Sequence, residues 1–302
     1  MNRLHRFFAD FKAGMENAHR VLGMNRRNLA YVYPSNPRKY FEFANNKLLT
    51  KKTLETAGLR VPETFLTVSY FYELTEMEEA LRRLRSFVIK PASGSGGSGI
   101  VVISDYQEGD WLSVSGKTYT FADIKKHIAD IIFGVYSFGL NDTAIIEERI
   151  VQNALISELS PQGLADIRVI NYRGSNVKAM LRIATIASDG RANLHQGGVG
   201  VAIDLESGRT FAARVHGEEI THHPDTGVAL LGVTIPAWEE LLRLAEAASK
   251  AIPLDYLGID IALSESGPVI LEVNARPGIE IQNICGEGMR ESLSAIDAGR
   301  SV

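Results

Sequence analysis

A chain of 302 residues with 45% hydrophobic and 23% charged side chains has room for one large core or for two to three smaller lobes. Its formal net charge of -4 gives no basic field for holding nucleic acid nonspecifically, and its single cysteine, Cys285, excludes an internal disulfide and a cysteine-based zinc cluster. Every apolar run is short and broken by charge, so no membrane span is expected, and the opening MNRLHRFFADFKAG lacks the apolar core of a cleavable signal; a reducing, cytoplasmic setting follows.

In chain order, the first stretch puts Leu4, Phe7, Phe8 and Phe11 on one side of a helix, read as packing on its own protein. NKLLTKKTLETAGL, from Asn46 to Leu59, reads as a helix stopped by Gly58, with the extended VPETF after it. Thr75 and Glu78 form a capping-box signature for the helix TEMEEALRRL. SFVIKPAS is a β-rich run, followed by a dense glycine loop and then by GIVVIS, a second β-rich run. A helix is predicted over 121–133, a buried strand over AIIEERIV at 144–151, and several strands between 166 and 215. WEELLRLAEAASKAI, at 238–252, is a strongly amphipathic helix, and LGIDIAL with PVILEVN forms a hairpin turning at Ser264 to Gly267. The pattern predicts an α+β fold rich in antiparallel sheet.

The loop after Lys90 carries Gly94, Ser95, Gly96, Gly97, Ser98 and Gly99. Its G-x-G-x-x-G spacing is weak by itself: a dinucleotide site needs a helix after the loop, and a Walker loop needs a terminal lysine. Strand, glycine loop and strand instead describe a hairpin laid over a polyphosphate, with backbone N–H groups as donors and Lys90 as a point charge. A surface loop with an incidental lysine is the plain alternative.

The C-terminal hairpin is more specific. Alternation puts Leu257, Ile259, Ile261 and Leu263 on one face and Asp260 on the other. It likewise groups Val269, Leu271 and Val273, leaving Glu272 and Asn274 together on the opposite face. The turn spacing places Asp260 across from Glu272 and beside Asn274, with no lysine or arginine expected between them. Such carboxylates repel unless a cation or proton intervenes, and hard oxygen donors suit Mg²⁺ bridging phosphates. A solvated acidic hairpin face is the alternative.

Taken in order, Lys47, Lys90, the glycine loop, Glu147-Glu148, Asp166-Ile-Arg168, Asp260 and Glu272-Val-Asn274 resemble the ATP-grasp superfamily. Within it, NKLLTKKTLETAGLRVPET and EVNARPGIE are most similar to the α-L-glutamate-ligase-like branch, related to enzymes that add glutamate to ribosomal proteins. The resemblance spans roughly residues 46 to 282. It implies two α+β lobes sandwiching ATP, at 46–150 and 151–302, after a short helical cap at 1–45. It implies that Lys47 and Lys90 contact phosphates and that Ser95 to Gly99 form a closing flap. AIIEERI, through Ile150, would read adenine by its backbone, with Glu147 or Glu148 bonding the base or ribose. Arg168 would stabilise the transferring phosphoryl group, Asp260, Glu272 and Asn274 would hold one or two Mg²⁺, and Arg276 would bind a substrate carboxylate or phosphate.

The implied reaction is ATP-dependent ligation of a carboxylate, with glutamate, another amino acid or a peptide among the substrates, to an amine. A small-molecule kinase and a nucleotide sensor without chemistry are the alternatives. Asp166 and Arg168 share a strand face, and a bare pair with each other is the plain alternative to a role in the site, while His195 stays outside the site and Cys285 is read as packing. Many ligases of the superfamily carry a larger preceding domain that helps bind the acceptor. With only about 45 residues before the lysine-bearing helix, a second subunit or a partner protein is the candidate for completing the acceptor pocket.

Overall fold

Two antiparallel sheets, each assembled from β-branched runs, frame the molecule. The computed structural model describes residues 19–75, 77–94 and 96–300, so the expected helix carrying Leu4, Phe7, Phe8 and Phe11, and Ser95 of the flap, lie outside the described residues. The smaller sheet contains β1 (Thr64–Val68), β2 (Phe87–Pro91), β3 (Val101–Gln107), β4 (Asp110–Ser113), β5 (Thr118–Tyr119) and β6 (Ala144–Glu147), in the order β1-β6-β2-β3-β4-β5. The larger contains β7 (Asp166–Tyr172), β8 (Ser175–Ile183), β9 (Val199–Ile203), β10 (Thr210–Val215), β11 (Glu218–Ile220), β12 (Tyr256–Ser264) and β13 (Gly267–Asn274), in the order β11-β10-β9-β8-β7-β12-β13.

The helix Phe121–Ile132 covers the smaller sheet. Thr120 and Asp123 form a reciprocal capping box at its start, and Ile124, Ile128 and Ile131 are buried beside Phe87, Ile89 and Trp111. The helix Trp238–Ala251 covers one face of the larger sheet, burying Leu241, Ala245 and Ala248 against Ile167, Val169 and Ile259. On the opposite face, Ile170, Tyr172, Met180 and Tyr256 are covered by Leu22, Tyr31 and Val32 and by the helices Ile281–Cys285 and Arg290–Asp297. Asn36, almost fully buried, ties the N-terminal segment down, its amide donating to the carbonyls of Tyr256 (2.7 Å) and Ala275 (2.9 Å). Cys285 is buried here, and burial pushes its thiol up to about 11, as befits a packing residue.

Three local differences from the sequence reading bear on the site. The lysine-bearing helix, Lys47–Thr56, is capped by Asn46 and stopped at Gly58 (φ 73°), as its sequence predicts. Although grouped with the first lobe by sequence, it buries Leu54 in the core of the larger sheet. The run 144–151 is a strand only as far as Glu147, because the following residues carry the chain to the larger sheet, which it reaches at the Gln152–Ser264 bridge. In the hairpin, Asp260 does face Glu272, but Ile261 pairs with Ile270, so Leu271 is an extra residue. This bulge breaks the expected grouping of Val269, Leu271 and Val273: Ile270 and Val273 face the main core, while Val269 packs with Ala262 and Ile150.

Candidate active site

Lys47 and Lys51 lie one turn apart on the same helix face. The Lys47 backbone N–H donates to the Ala92 carbonyl at 3.0 Å, which docks the helix start on the flap. Its ammonium donates to the Gly94 carbonyl at 2.5 Å and sits 3.8 Å from Glu272 Oε1. Lys90, on β2, meets Glu147 Oε1 at 2.5 Å, while Lys51 meets Glu147 Oε2 at 2.7 Å. All three members of this bridge are buried. Burial lowers the pKa of Lys47 and of Lys51, opposed by Glu272 and Glu147 respectively. Glu147 is therefore the shared counter-ion of two lysines, which leaves Glu148 as the half-exposed carboxylate of the pair. Glu148 Oε2 accepts from the Glu63 backbone N–H at 3.2 Å, and Ile150 is buried against the edge of the larger sheet.

The flap is fixed at both ends. At its start, Asp142 accepts the Ser93 N–H at 3.0 Å, the Thr143 N–H at 2.8 Å and the Ser137 hydroxyl. At its end, the Gly99 carbonyl accepts from His127 Nε2 at 2.9 Å, which sets the ring as the Nε2–H tautomer; burial lowers the pKa of His127 and favours this neutral form. Gly96, Gly97 and Gly99 all take positive φ. A Cβ on Gly97 would come within 3.5 Å of Arg191 and one on Gly96 within 4.0 Å of Asn193, both in the loop between β8 and β9, so the flap faces that loop. His195 in that loop is exposed, and Asn193 Oδ1 accepts its backbone N–H at 3.0 Å. A Cβ on Gly99 would lie 2.6 Å from the Tyr136 ring at φ +76°. Gly99→Ala is expected to destabilise the protein by at least about 1–2 kcal/mol from the left-handed backbone alone and to weaken nucleotide binding. Urea unfolding and nucleotide titration of the variant check both; wild-type values would refute the close approach.

Across the cleft, four charged side chains line one face of the larger sheet. Asp166 and Arg168 do not pair with each other, the plain alternative left open in the sequence, because each has a better-registered partner across the sheet. Asp166 lies opposite Arg182 on β8, and Arg168 lies opposite Asp260 on β12. Arg168 grips Asp260 with two bonds, at 2.7 and 2.6 Å. Arg182 bridges Asp166 at 2.6 Å and Asp260 at 2.9 Å, and the Asn274 amide donates to Asp260 at 3.1 Å. Burial disfavours charge on Asp260, but Arg168 and Arg182 outweigh it and lower its pKa.

This network changes the fit for a divalent cation. Asp260 accepts four hydrogen bonds, three at Oδ2 and one at Oδ1, contrary to the expectation that no arginine stands between the ligands. Among the described residues, no cluster of three or more Asp, Glu, His or Cys side chains converges. Glu272 is partly exposed, and Asn274 turns its N–H toward Asp260, so both offer oxygens of the type Mg²⁺ takes. Asp260 can join them through Oδ1, which accepts only the Arg168 Nε–H, whereas its Oδ2 is taken up by Arg168, Arg182 and Asn274. Arg276 is exposed, and its guanidinium stacks 4.8 Å from the Phe41 ring centroid and 5.7 Å from that of Tyr33.

Burial pushes Asp166 from its ordinary 3.8 up to about 6, against the pull of Arg182 and with help from the Asp260 charge. Between about pH 4 and 6 the folded chain thus holds a proton that the unfolded chain has shed. That contribution favours folding below the ordinary value and is lost as pH rises through about 6. Relative to Asp166→Asn, the wild type is expected to lose on the order of 2–3 kcal/mol of unfolding free energy between about pH 4 and 7. Urea unfolding of both proteins at matched pH tests this; a flat difference contradicts it.

The structure adds Lys51, Arg182, Asp142 and His127 to the residues singled out in sequence. The sequence profile of the family described as sugar-transfer associated ATP-grasp matches residues 26–298. The chain belongs to that family. Its two sheets and helices form an ATP-grasp fold of the α+β class. The resemblance to glutamate ligases is found among curated relatives as well. A probable alpha-L-glutamate ligase of Trichodesmium erythraeum is 25% identical over 252 residues, covering 82% of this chain and 62% of the relative. The tetrahydromethanopterin:alpha-L-glutamate ligase of Methanocaldococcus jannaschii is 28% identical over 249 residues, covering 82% and 63%. The chain thus spans less than two thirds of the length of either relative. Among solved structures, D-cycloserine synthetase DcsG matches with a TM-score of 0.48 and 15% identity, covering 87% of this chain and 71% of that one. Among the described residues of this ATP-grasp chain, no helix is long and apolar enough to cross a membrane.

Proposed function

We propose that this chain is an ATP-dependent ligase that joins a carboxylate to an amine through an acyl phosphate. The observation that carries this reading is Lys47, whose ammonium bonds the flap at Gly94 and stands 3.8 Å from Glu272. The phosphate loop and the acidic hairpin, far apart in sequence, thereby become two walls of one cleft.

In this reading Lys47, Lys90 and the N–H groups of Gly96 to Gly99, with Ser98, bind the polyphosphate, and Ser95 completes the same loop. The backbone from Glu148 to Ile150 faces the base, and Glu148 supplies its carboxylate to base or ribose. Glu272 and Asn274, with Asp260 through its Oδ1, would hold Mg²⁺, and the ion would supply positive charge to the phosphate oxygens. The substrate carboxylate attacks the γ-phosphorus and ADP leaves; the amine then attacks the acyl carbon, phosphate leaves and a proton is released. Arg168 and Arg182 neutralise charge on the transferring group, and flap closure keeps water from the acyl phosphate. Arg276, stacked on Phe41 and Tyr33, is placed to take an anionic group of the substrate.

Glutamate, in line with the names of the relatives, another amino acid or a peptide is the first substrate class to test, and the family's description as sugar-transfer associated makes sugar derivatives the second. Purified protein with Mg-ATP is incubated with pooled amino acids, peptides and sugar acids, ADP and phosphate release are followed, and products are weighed by mass spectrometry. A new amide formed only when carboxylate and amine are both present supports the ligase. Phosphorylated product with no amide would replace it by a kinase.

A further inference from the structure

Lys51 is a buried cation to which neither the resemblance nor the proposed reaction assigns work. It is 5% exposed and sits one helical turn beyond Lys47, its ammonium directed to the inner oxygen of Glu147 at 2.7 Å. Glu147 is 4% exposed and gives its other oxygen to Lys90 at 2.5 Å. One carboxylate thus serves two ammonium groups, only one of which stands on the strand that runs into the flap.

We propose that Lys51 is a positioning residue of the nucleotide site: it keeps Glu147 neutralised so that Lys90 is free to leave that carboxylate for the phosphates of a nucleotide. The proposal rests on the reading of the cleft as an ATP site. Its reason is electrostatic. A buried 1:1 ion pair is hard to break, because departure of one partner leaves the other charged and uncompensated in a low-dielectric setting. Were Glu147 paired with Lys90 alone, nucleotide binding would have to work against that penalty. With Lys51 in place, Glu147 keeps a full partner throughout, and the lysine that departs exchanges one anion for another. The geometry divides the labour: Lys51 comes from the helix packed on the larger sheet, whereas Lys90 comes from β2, which continues through Pro91 to Ser93 into the glycine loop. Lys51 and Lys90 against the single carboxylate of Glu147 leave one positive charge in excess, as a polyphosphate requires.

The test is calorimetric titration of the full chain with Mg-ATP, alongside thermal unfolding. Wild-type binding is the prior condition; no binding by the wild type would refute the nucleotide reading itself. Given binding, Lys51→Met is expected to weaken ATP about tenfold or more, since Glu147 now holds Lys90. Lys51→Arg should restore affinity, and adding Glu147→Gln to Lys51→Met should restore most of it, because no carboxylate then competes for Lys90. A merely structural strut predicts the reverse: affinity that follows melting temperature, with no recovery in the double variant. Unchanged affinity in folded Lys51→Met, or a double variant no better than the single, overturns the proposal. Should Lys51→Met fail to fold, Lys51→Gln and Lys51→Gln/Glu147→Gln replace the pair, with the same expected loss and recovery.

Discussion

Glu147→Gln is expected to lower the unfolding free energy by about 3–5 kcal/mol, the cost of leaving buried charges without their partner. The glutamine keeps the shape and one acceptor oxygen but removes the negative charge that Lys51 and Lys90 share at 2.7 and 2.5 Å. The loss exceeds what a surface ion pair contributes because all three groups are buried. Urea unfolding with an unchanged slope measures it directly, and a loss below about 1 kcal/mol would mean that the lysines find other acceptors or shed their protons.

Glu272→Ala has the opposite signature. Its carboxylate is partly exposed, and Lys47, at 3.8 Å, is only loosely paired with it. Stability should change by less than about 1 kcal/mol. If Glu272 holds Mg²⁺ in the cleft, turnover of Mg-ATP should fall by about 10²–10³, the scale seen when a preorganised charge at a transition state is removed. Raising the magnesium concentration should recover part of the loss. Near-normal turnover at low magnesium in a folded variant would remove Glu272 from the metal site.

These two glutamates show what the sequence discloses and what it hides. Glu272 was placed opposite Asp260 by period-two alternation and a short turn, both local properties. The bulge at Leu271 was not legible, because an added residue leaves the same apolar letters in the same order; only the partner strand reveals it. Glu147 was visible as a carboxylate in a buried run, but its partners lie on β2 and on a helix nearly a hundred residues earlier. Lys51 and Lys47 share a helix face by spacing alone, and nothing in KLLTKK distinguishes a buried lysine from a solvated one. Arg182 escaped notice for the same reason: its meaning comes from standing opposite Asp166 and within reach of Asp260. The α+β architecture and the main helices were legible because amphipathic periods and glycine stops act over a few turns. The arginine–aspartate network was not, since it is a property of three strands at once.

The helix Lys47–Thr56 is rooted in the larger sheet by Leu54, yet reaches the smaller one through the Lys51–Glu147 bond. That bond and the Lys47 contacts to Ala92 and Gly94 are the polar ties by which this helix joins one wall of the cleft to the other. A change at this one helix would therefore be felt on both walls of the cleft at once.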